Sequence, residues 1–219
     1  MEAIRKLSPR AEFFLVITLC FGYFIVLSVA ELLMGMKEFR LTTPKLLFAI
    51  AFEVILLAAT AVILRARGWT LDRIGLRFSW NNLAFGFPLF IWYMLLYWFT
   101  WLFITTVYPA ARTIQGPQFS STAPFALTAM FILVNSVFEE VTVTGYVITA
   151  LSEHGAALAI TASTLIRFAY HLYQGPTATI AILPLGLLFA SVYWRWRNLW
   201  PLMVAHTIAN LLSLASVTR

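Results

Sequence analysis

The chain has 219 residues, 61% of them hydrophobic and 11% charged, with a formal net charge of +6 and a mean hydropathy of +0.85. A soluble domain carries about 25% charged residues, so this composition cannot cover a water-facing surface, and lipid must replace water over most of it. Such a basic balance in a soluble protein would suggest nucleic acid. Here the lysines and arginines fall between apolar runs, where they orient the chain and meet anionic lipid heads, and no nucleic-acid motif, low-complexity segment or repeat is present.

The expected fold class is an all-α polytopic membrane protein, a bundle of about seven transmembrane helices. Arg5, Lys6 and Arg10 precede the first apolar run, 13–34. That run is too long for the core of a signal peptide and no small-residue cleavage site follows it, so it reads as a retained first helix. It contains the single cysteine, Cys20, expected as packing filler, and Glu31 near its end, within reach of the interface. The second run, 45–64, carries Glu53 in mid-span, either a hydrogen-bonded packing residue or the partner of a buried arginine. Residues 65–82, RARGWTLDRIGLRFSWNN, read as a basic inner loop or a short surface helix.

The third run, 83–107, has Trp92, Trp98 and Trp101 as lipid or packing contacts, and the fourth, 124–151, is long enough to tilt or protrude. The fifth and sixth, 155–173 and 177–194, are short and polar, which predicts that other helices shield them; Pro184 and Gly186 predict a bend in the sixth. Trp194, Trp196 and Trp200 flank Arg195 and Arg197 as an interfacial belt would, ahead of a seventh run at 199–217. Residues 1–123 form one region, N-terminal helices with the basic loop, and residues 124–219 a second, the candidate catalytic core.

Charge orients the bundle. Arg5, Lys6, Arg10, Arg65, Arg67, Arg73, Arg77, Arg195 and Arg197 fall on one side, and Lys37, Arg40, Lys45, Arg112 and Arg219 on the other. This asymmetry places the N-terminus in the cytoplasm and the protein in a cell membrane.

Ionisable groups inside spans are costly and each needs a reason. The fourth run holds Asn135, Ser136, Glu139 and Glu140, the fifth Arg167 and His171, and the seventh His206 and Asn210. Arg167 and His171 are four residues apart and share a helix face, as do His206 and Asn210. Glu139 and Glu140 point about 100° apart around a helix, which predicts different roles. Along their helices Glu140, His171 and His206 lie roughly 17, 24 and 10 Å from the inner side, a spread that tilt and staggered ends must absorb if they share one chamber. A buried Arg167 requires carboxylates nearby. Structural glue between helices is the competing reading of this set.

At these residues the sequence resembles the CPBP family, the CAAX proteases and bacteriocin-processing enzymes also called Abi proteins. The resemblance covers about 124–214. It rests on EEVTVTGY (Glu139 to Tyr146), RFAYHLYQG (Arg167 to Gly175, with His171) and LWPLMVAHTIAN (Leu199 to Asn210, with His206 and Asn210 in the family's His-x-x-x-Asn). The family's first motif is two glutamates, three residues and an arginine, then often Gly-Tyr. This chain departs twice: Thr144 stands where that arginine belongs, and Arg167 stands four residues before His171, where the family usually has phenylalanine. The two departures read as linked, the cation lost from the fourth helix being supplied by the fifth, and this predicts that Arg167 contacts Glu139 or Glu140.

The resemblance implies a glutamate-dependent intramembrane endopeptidase acting on peptides or membrane proteins, in a membrane of bacterial type. It implies Glu139 as the base that activates water, His171 as a holder of that water, Glu140 as an orienting group, and His206 with Asn210 as oxyanion donors; Arg167 would be the substitute cation. No cofactor is expected. Zinc held by two histidines and a carboxylate is the alternative, disfavoured by the absence of HExxH and by the arginine. The competitors from other classes are a small transporter with a buried acid-base site and a non-catalytic membrane scaffold.

Overall fold

Residues 2–35, 38–113 and 118–217 are described by a computed structural model of the chain. Seven helices follow the seven apolar runs, after a one-turn helix at Glu2–Arg5. Helix α1 (Pro9–Met34) starts where Ser8 accepts a hydrogen bond from the Ala11 amide and Pro9 sets the first turn, and stops at Gly35, in the left-handed conformation at φ 65°. Helix α2 is Thr43–Ala66. Helix α3 (Trp80–Val107) is capped by Ser79, which accepts from the Asn82 amide. Helices α4 (Phe125–Ala150) and α5 (Ala156–Ala169) are followed by α6 (Gly175–Trp196) and α7 (Trp200–Val217).

Among the described residues four helices, α1 to α4, are long and apolar enough to cross a membrane. Helix α5 has 14 residues, about 21 Å of rise against a hydrocarbon core of about 30 Å. It packs on α6 and on the lower half of α4, so neighbouring helices shield it, as its polarity predicts. Trp92 and Trp98, 65% and 58% exposed, face outward as lipid contacts. Cys20 is buried with Sγ 3.1 Å from the Thr60 hydroxyl, a packing contact between α1 and α2.

One feature was not expected, and the basic loop takes the first of its two expected forms. Strands β1 (Glu38–Leu41) and β2 (Gln118–Ser121) pair in parallel, Glu38 opposite Gln118 through Leu41 opposite Ser121. The pair is only four residues deep and joins segments far apart in the chain, which local pattern cannot reveal. Residues 67–78 form turns instead of a surface helix. Gly68 and Gly75 have φ of 80° and 84°, and a Cβ on Gly75 would lie 2.7 Å from the Arg197 carbonyl oxygen. The loop is fastened to the α6–α7 junction by the Leu199 amide donating to Gly75 O at 2.9 Å and the Asn198 side chain donating to Arg77 O at 2.8 Å.

Alternating helix directions put this basic loop and the N-terminus at one end of the bundle and the strand pair at the other. Arg67 joins that end together: its Nε donates to Glu12 at 2.7 Å and its Nη1 to Arg5 O at 2.6 Å. Glu12 is buried and also accepts from Trp69 Nε1 at 3.1 Å and Tyr146 Oη at 3.3 Å. Arg40, Lys45 and Arg112 lie at the strand end, while Lys37 and Arg219 fall outside the described residues. Pro184 sits inside α6, and Gly186 two residues later lets Thr164 of α5 approach to 3.1 Å of where a Cβ would stand.

Candidate active site

The lower half of α4 is π-helical from Glu140 to Tyr146. Such stretches loosen the regular backbone bonding and occur often at functional sites. Ser163 of α5 donates to the Val143 carbonyl at 2.7 Å, anchoring α5 to this segment. Arg167 in the last turn of α5 is thereby brought against the two glutamates.

Arg167 is 1% exposed. Its Nη1 donates to Glu139 Oε2 at 2.9 Å and its Nη2 to Glu140 Oε1 at 2.8 Å. The contact expected from the sequence is made with both carboxylates rather than one. Nη2 also donates to the Thr144 hydroxyl at 3.0 Å, and that hydroxyl donates to Glu140 Oε2 at 2.7 Å. The guanidinium therefore reaches the Thr144 side chain as well as both carboxylates. Two carboxylates and one guanidinium in a water-poor interior require this degree of mutual hydrogen bonding to be tolerated.

Although about 100° apart on an ideal helix, Glu139 and Glu140 share one cation, yet their surroundings differ. Glu140 is wholly buried: its Oε1 is also bonded by His206 Nδ1 at 2.8 Å. Glu139 lines a cavity of about 440 Å³. Its Oε2 accepts from Arg167 and from Tyr170 Oη at 2.6 Å, and Oε1 has no hydrogen-bond partner among the described residues.

His171 and Asn210 line the same cavity. His171 does not lie on α5, which ends at Ala169; it sits in the turn that follows, before the short 3-10 turn Leu172–Gln174. The expected four-residue relation survives in another form, His171 Nδ1 lying 2.9 Å from the Arg167 carbonyl oxygen. A carbonyl only accepts, so Nδ1 carries the proton and neutral His171 keeps a lone pair on Nε2. The turn is held by the Tyr173 amide donating to Ser28 Oγ of α1 at 2.8 Å. His206 stands behind Glu140 and is not part of the cavity lining, while both histidines interact electrostatically with Glu139.

Stagger between helices thus absorbs the depth spread, and all six residues singled out in the sequence belong to one assembly. Glu139, Glu140, Arg167 and His206 form its bonded core, and His171 and Asn210 its cavity wall. Sequence reasoning missed Tyr170, whose signal was its position three residues after Arg167, at the C-terminal cap of the same helix. It also missed the pairing of Asn135 Nδ2 with Glu53 Oε1 at 2.9 Å, which gives Glu53 an amide partner in place of an arginine. Among the described residues no three His, Cys, Asp or Glu side chains converge as a metal-binding set.

Residues 121–212 match the family described as Type II CAAX prenyl endopeptidase Rce1-like. Over this segment the chain is similar to the Rce1-like CAAX endopeptidases. No curated protein and no solved structure matches it significantly. The matched segment contains every residue of the bonded core and the cavity residues His171 and Asn210. Helices α1 and α2 and strand β1 lie outside the segment and complete the cavity with Glu31, Glu53 and Phe39.

Proposed function

We propose that the protein is an intramembrane endopeptidase that hydrolyses peptide bonds of membrane-associated proteins or peptides by glutamate-activated water, without a metal. The observation that carries this reading is the asymmetry of the two glutamates around Arg167. Glu139 faces the cavity with Oε1 unpartnered, whereas Glu140 is sealed behind it by Arg167, Thr144 and His206.

In this reading Glu139 takes a proton from water as that water attacks the scissile carbonyl, and later delivers it to the leaving amine. His171 Nε2 accepts a hydrogen bond from the water and orients it. Asn210 donates to the developing oxyanion from the cavity wall, with His206 as the second donor once the substrate is seated. Arg167 and Tyr170 hold Glu139 Oε2 so that Oε1 is the working oxygen. Glu140 is a positioning residue acting through Arg167 and His206. Arg167 also fills the role of the missing motif arginine at Thr144. A dication is a poor fit beside a guanidinium that is already hydrogen-bonded to both carboxylates.

The cavity runs from Glu139 to the strand pair, reached by Phe39, Phe119 and Ser120, and its lining includes no residue of the basic end. A chamber approached from one end suits a peptidase better than a transport path. With the basic end in the cytoplasm, the chamber opens toward the outer half of the membrane of a bacterial-type cell.

The test is peptidase activity of the purified protein in lipid against a membrane-peptide library, for wild type and Glu139→Gln, with and without a chelator. Cleavage that is lost in the variant and resists chelator supports the proposal. Cleavage abolished by chelator and restored by zinc replaces it with a metal mechanism, and cleavage that persists in Glu139→Gln overturns the assignment of the base.

A further inference from the structure

The cavity contains a second carboxyl group that the peptidase chemistry does not use. Glu53 of α2 is 2% exposed and lines the cavity. Its Oε1 accepts from Asn135, but its Oε2 is buried without any hydrogen-bond partner. A second atom of the same wall, Ser120 Oγ on β2, is orphaned in the same way. Burying a polar oxygen in a bilayer-embedded protein without a partner is costly, and orphaned groups facing one cavity mark where a ligand supplies the partner.

The charge balance says which kind of ligand. Glu31, Glu53 and Glu139 line the cavity, and among the described residues no lysine or arginine does so. Arg167 is already engaged by Glu139 and Glu140. Lys45 acts on Glu31 through space from outside the lining, and among the described residues Glu53 has no ion-pair partner. The cavity wall therefore offers carboxyl groups with no described basic residue to match them, and Glu53 is the one with a buried oxygen left unpartnered.

We infer that Glu53, with Ser120 beside the strand pair, forms a specificity subsite for a cationic side chain of the substrate peptide, a lysine or arginine near the bond to be cut. This deepens the peptidase reading and rests on it for the meaning of the cavity. A guanidinium or ammonium supplies several N–H donors to a single unpartnered carboxylate oxygen, and the attraction is strong where water is excluded. The same lining disfavours a free C-terminal carboxylate close to the cut, because it would meet Glu53 and Glu31 with no cation to receive it.

Binding separates this inference from the peptidase reading. Dye-labelled neutral peptides carrying one arginine, and matched peptides with citrulline in its place, are titrated by fluorescence anisotropy against the full-length protein in lipid nanodiscs. Scanning the arginine along the peptide covers every register. The expected result is at least one register in which arginine binds about tenfold tighter than citrulline, and a ratio that falls to about two or less in Glu53→Gln. That variant keeps the shape and the Asn135 contact, and its thermal melt reports whether it folds. A wild-type comparison needs no variant: the peptide amide binds more tightly than the same peptide ending in a free carboxylate. Equal affinity for arginine and citrulline in all registers, a ratio untouched in folded Glu53→Gln, a preference for the free carboxylate, or no binding of any arginine peptide overturns the subsite. Peptide cleavage without arginine preference overturns it while leaving the peptidase standing, and arginine-selective binding without cleavage supports the subsite and counts against the peptidase.

Discussion

Arg167 of α5 donates to the Thr144 hydroxyl of α4 at 3.0 Å, so one guanidinium spans the gap between the two helices while also binding both glutamates. Removing it leaves two buried carboxylates without a cation, a loss of about 3–5 kcal/mol in stability for groups this deep. Arg167→Phe is therefore expected to abolish activity and lower the melting temperature. The double variant Arg167→Phe with Thr144→Arg returns a cation to the same space from the opposite helix. It is expected to recover folding and a measurable fraction of the activity, read from melts and peptide turnover in lipid. A double variant no better than Arg167→Phe alone would show that the two positions are not exchangeable.

Glu139→Gln keeps the shape of the side chain and its bond from Tyr170 but cannot accept a proton from water. Turnover is expected to fall by a factor of about 10²–10⁴, the range of a positioned general base, with a melting temperature close to wild type. Glu140→Gln should differ in kind. It breaks the ionic contacts with Arg167 and His206, so both stability and activity should drop. Parallel melts and rates on the two variants check this contrast.

Tyr170→Phe deletes the 2.6 Å bond to Glu139 Oε2 without making a cavity. A hydrogen bond to a charged group contributes about 1.5–3 kcal/mol, so roughly a tenfold or greater fall in kcat is expected, with little change in KM. A change confined to KM would mean that Tyr170 serves the substrate and not the base.

How far the sequence alone reached depends on the range of the interactions involved. The seven helices follow from unbroken apolar runs, and the polar residues stand out because lipid makes each one costly. The Arg167–glutamate contact was readable from a charge argument: a lone buried cation beside two buried acids has few other solutions. The strand pair was not readable, because four-residue strands from distant segments carry no local pattern. Glu12 was not singled out either. Its burial depends on Arg67, Trp69 and Tyr146 meeting it from two other parts of the chain. His171 was placed on a helix that ends two residues earlier.

Glu12 gives a prediction away from the chemistry. Glu12→Ala leaves Trp69 Nε1, Tyr146 Oη and the partly buried Arg67 without their shared acceptor. It is expected to cost about 3 kcal/mol, seen as a lowered melting temperature, while the folded fraction retains near-normal turnover per molecule. An unchanged melt would show that the clasp at the basic end contributes nothing to stability.

The π-helical stretch at Glu140–Tyr146 also constrains how this gene can vary. A π turn carries one residue more than the α-helix it interrupts, so a single-codon deletion anywhere within it lets the backbone relax into an ordinary helix without breaking the span. The π turn already absorbs the extra residue, so the helix on either side keeps its facing and the change is confined to the segment itself. A deletion between Glu140 and Thr144 would shorten their spacing by one residue and disturb the hydroxyl contact that now ties Glu140 to Arg167. Such a deletion would be silent in hydropathy, membrane insertion and helix count, yet it would disturb the site, so a relative with impaired activity can arise in one step with its membrane fold intact.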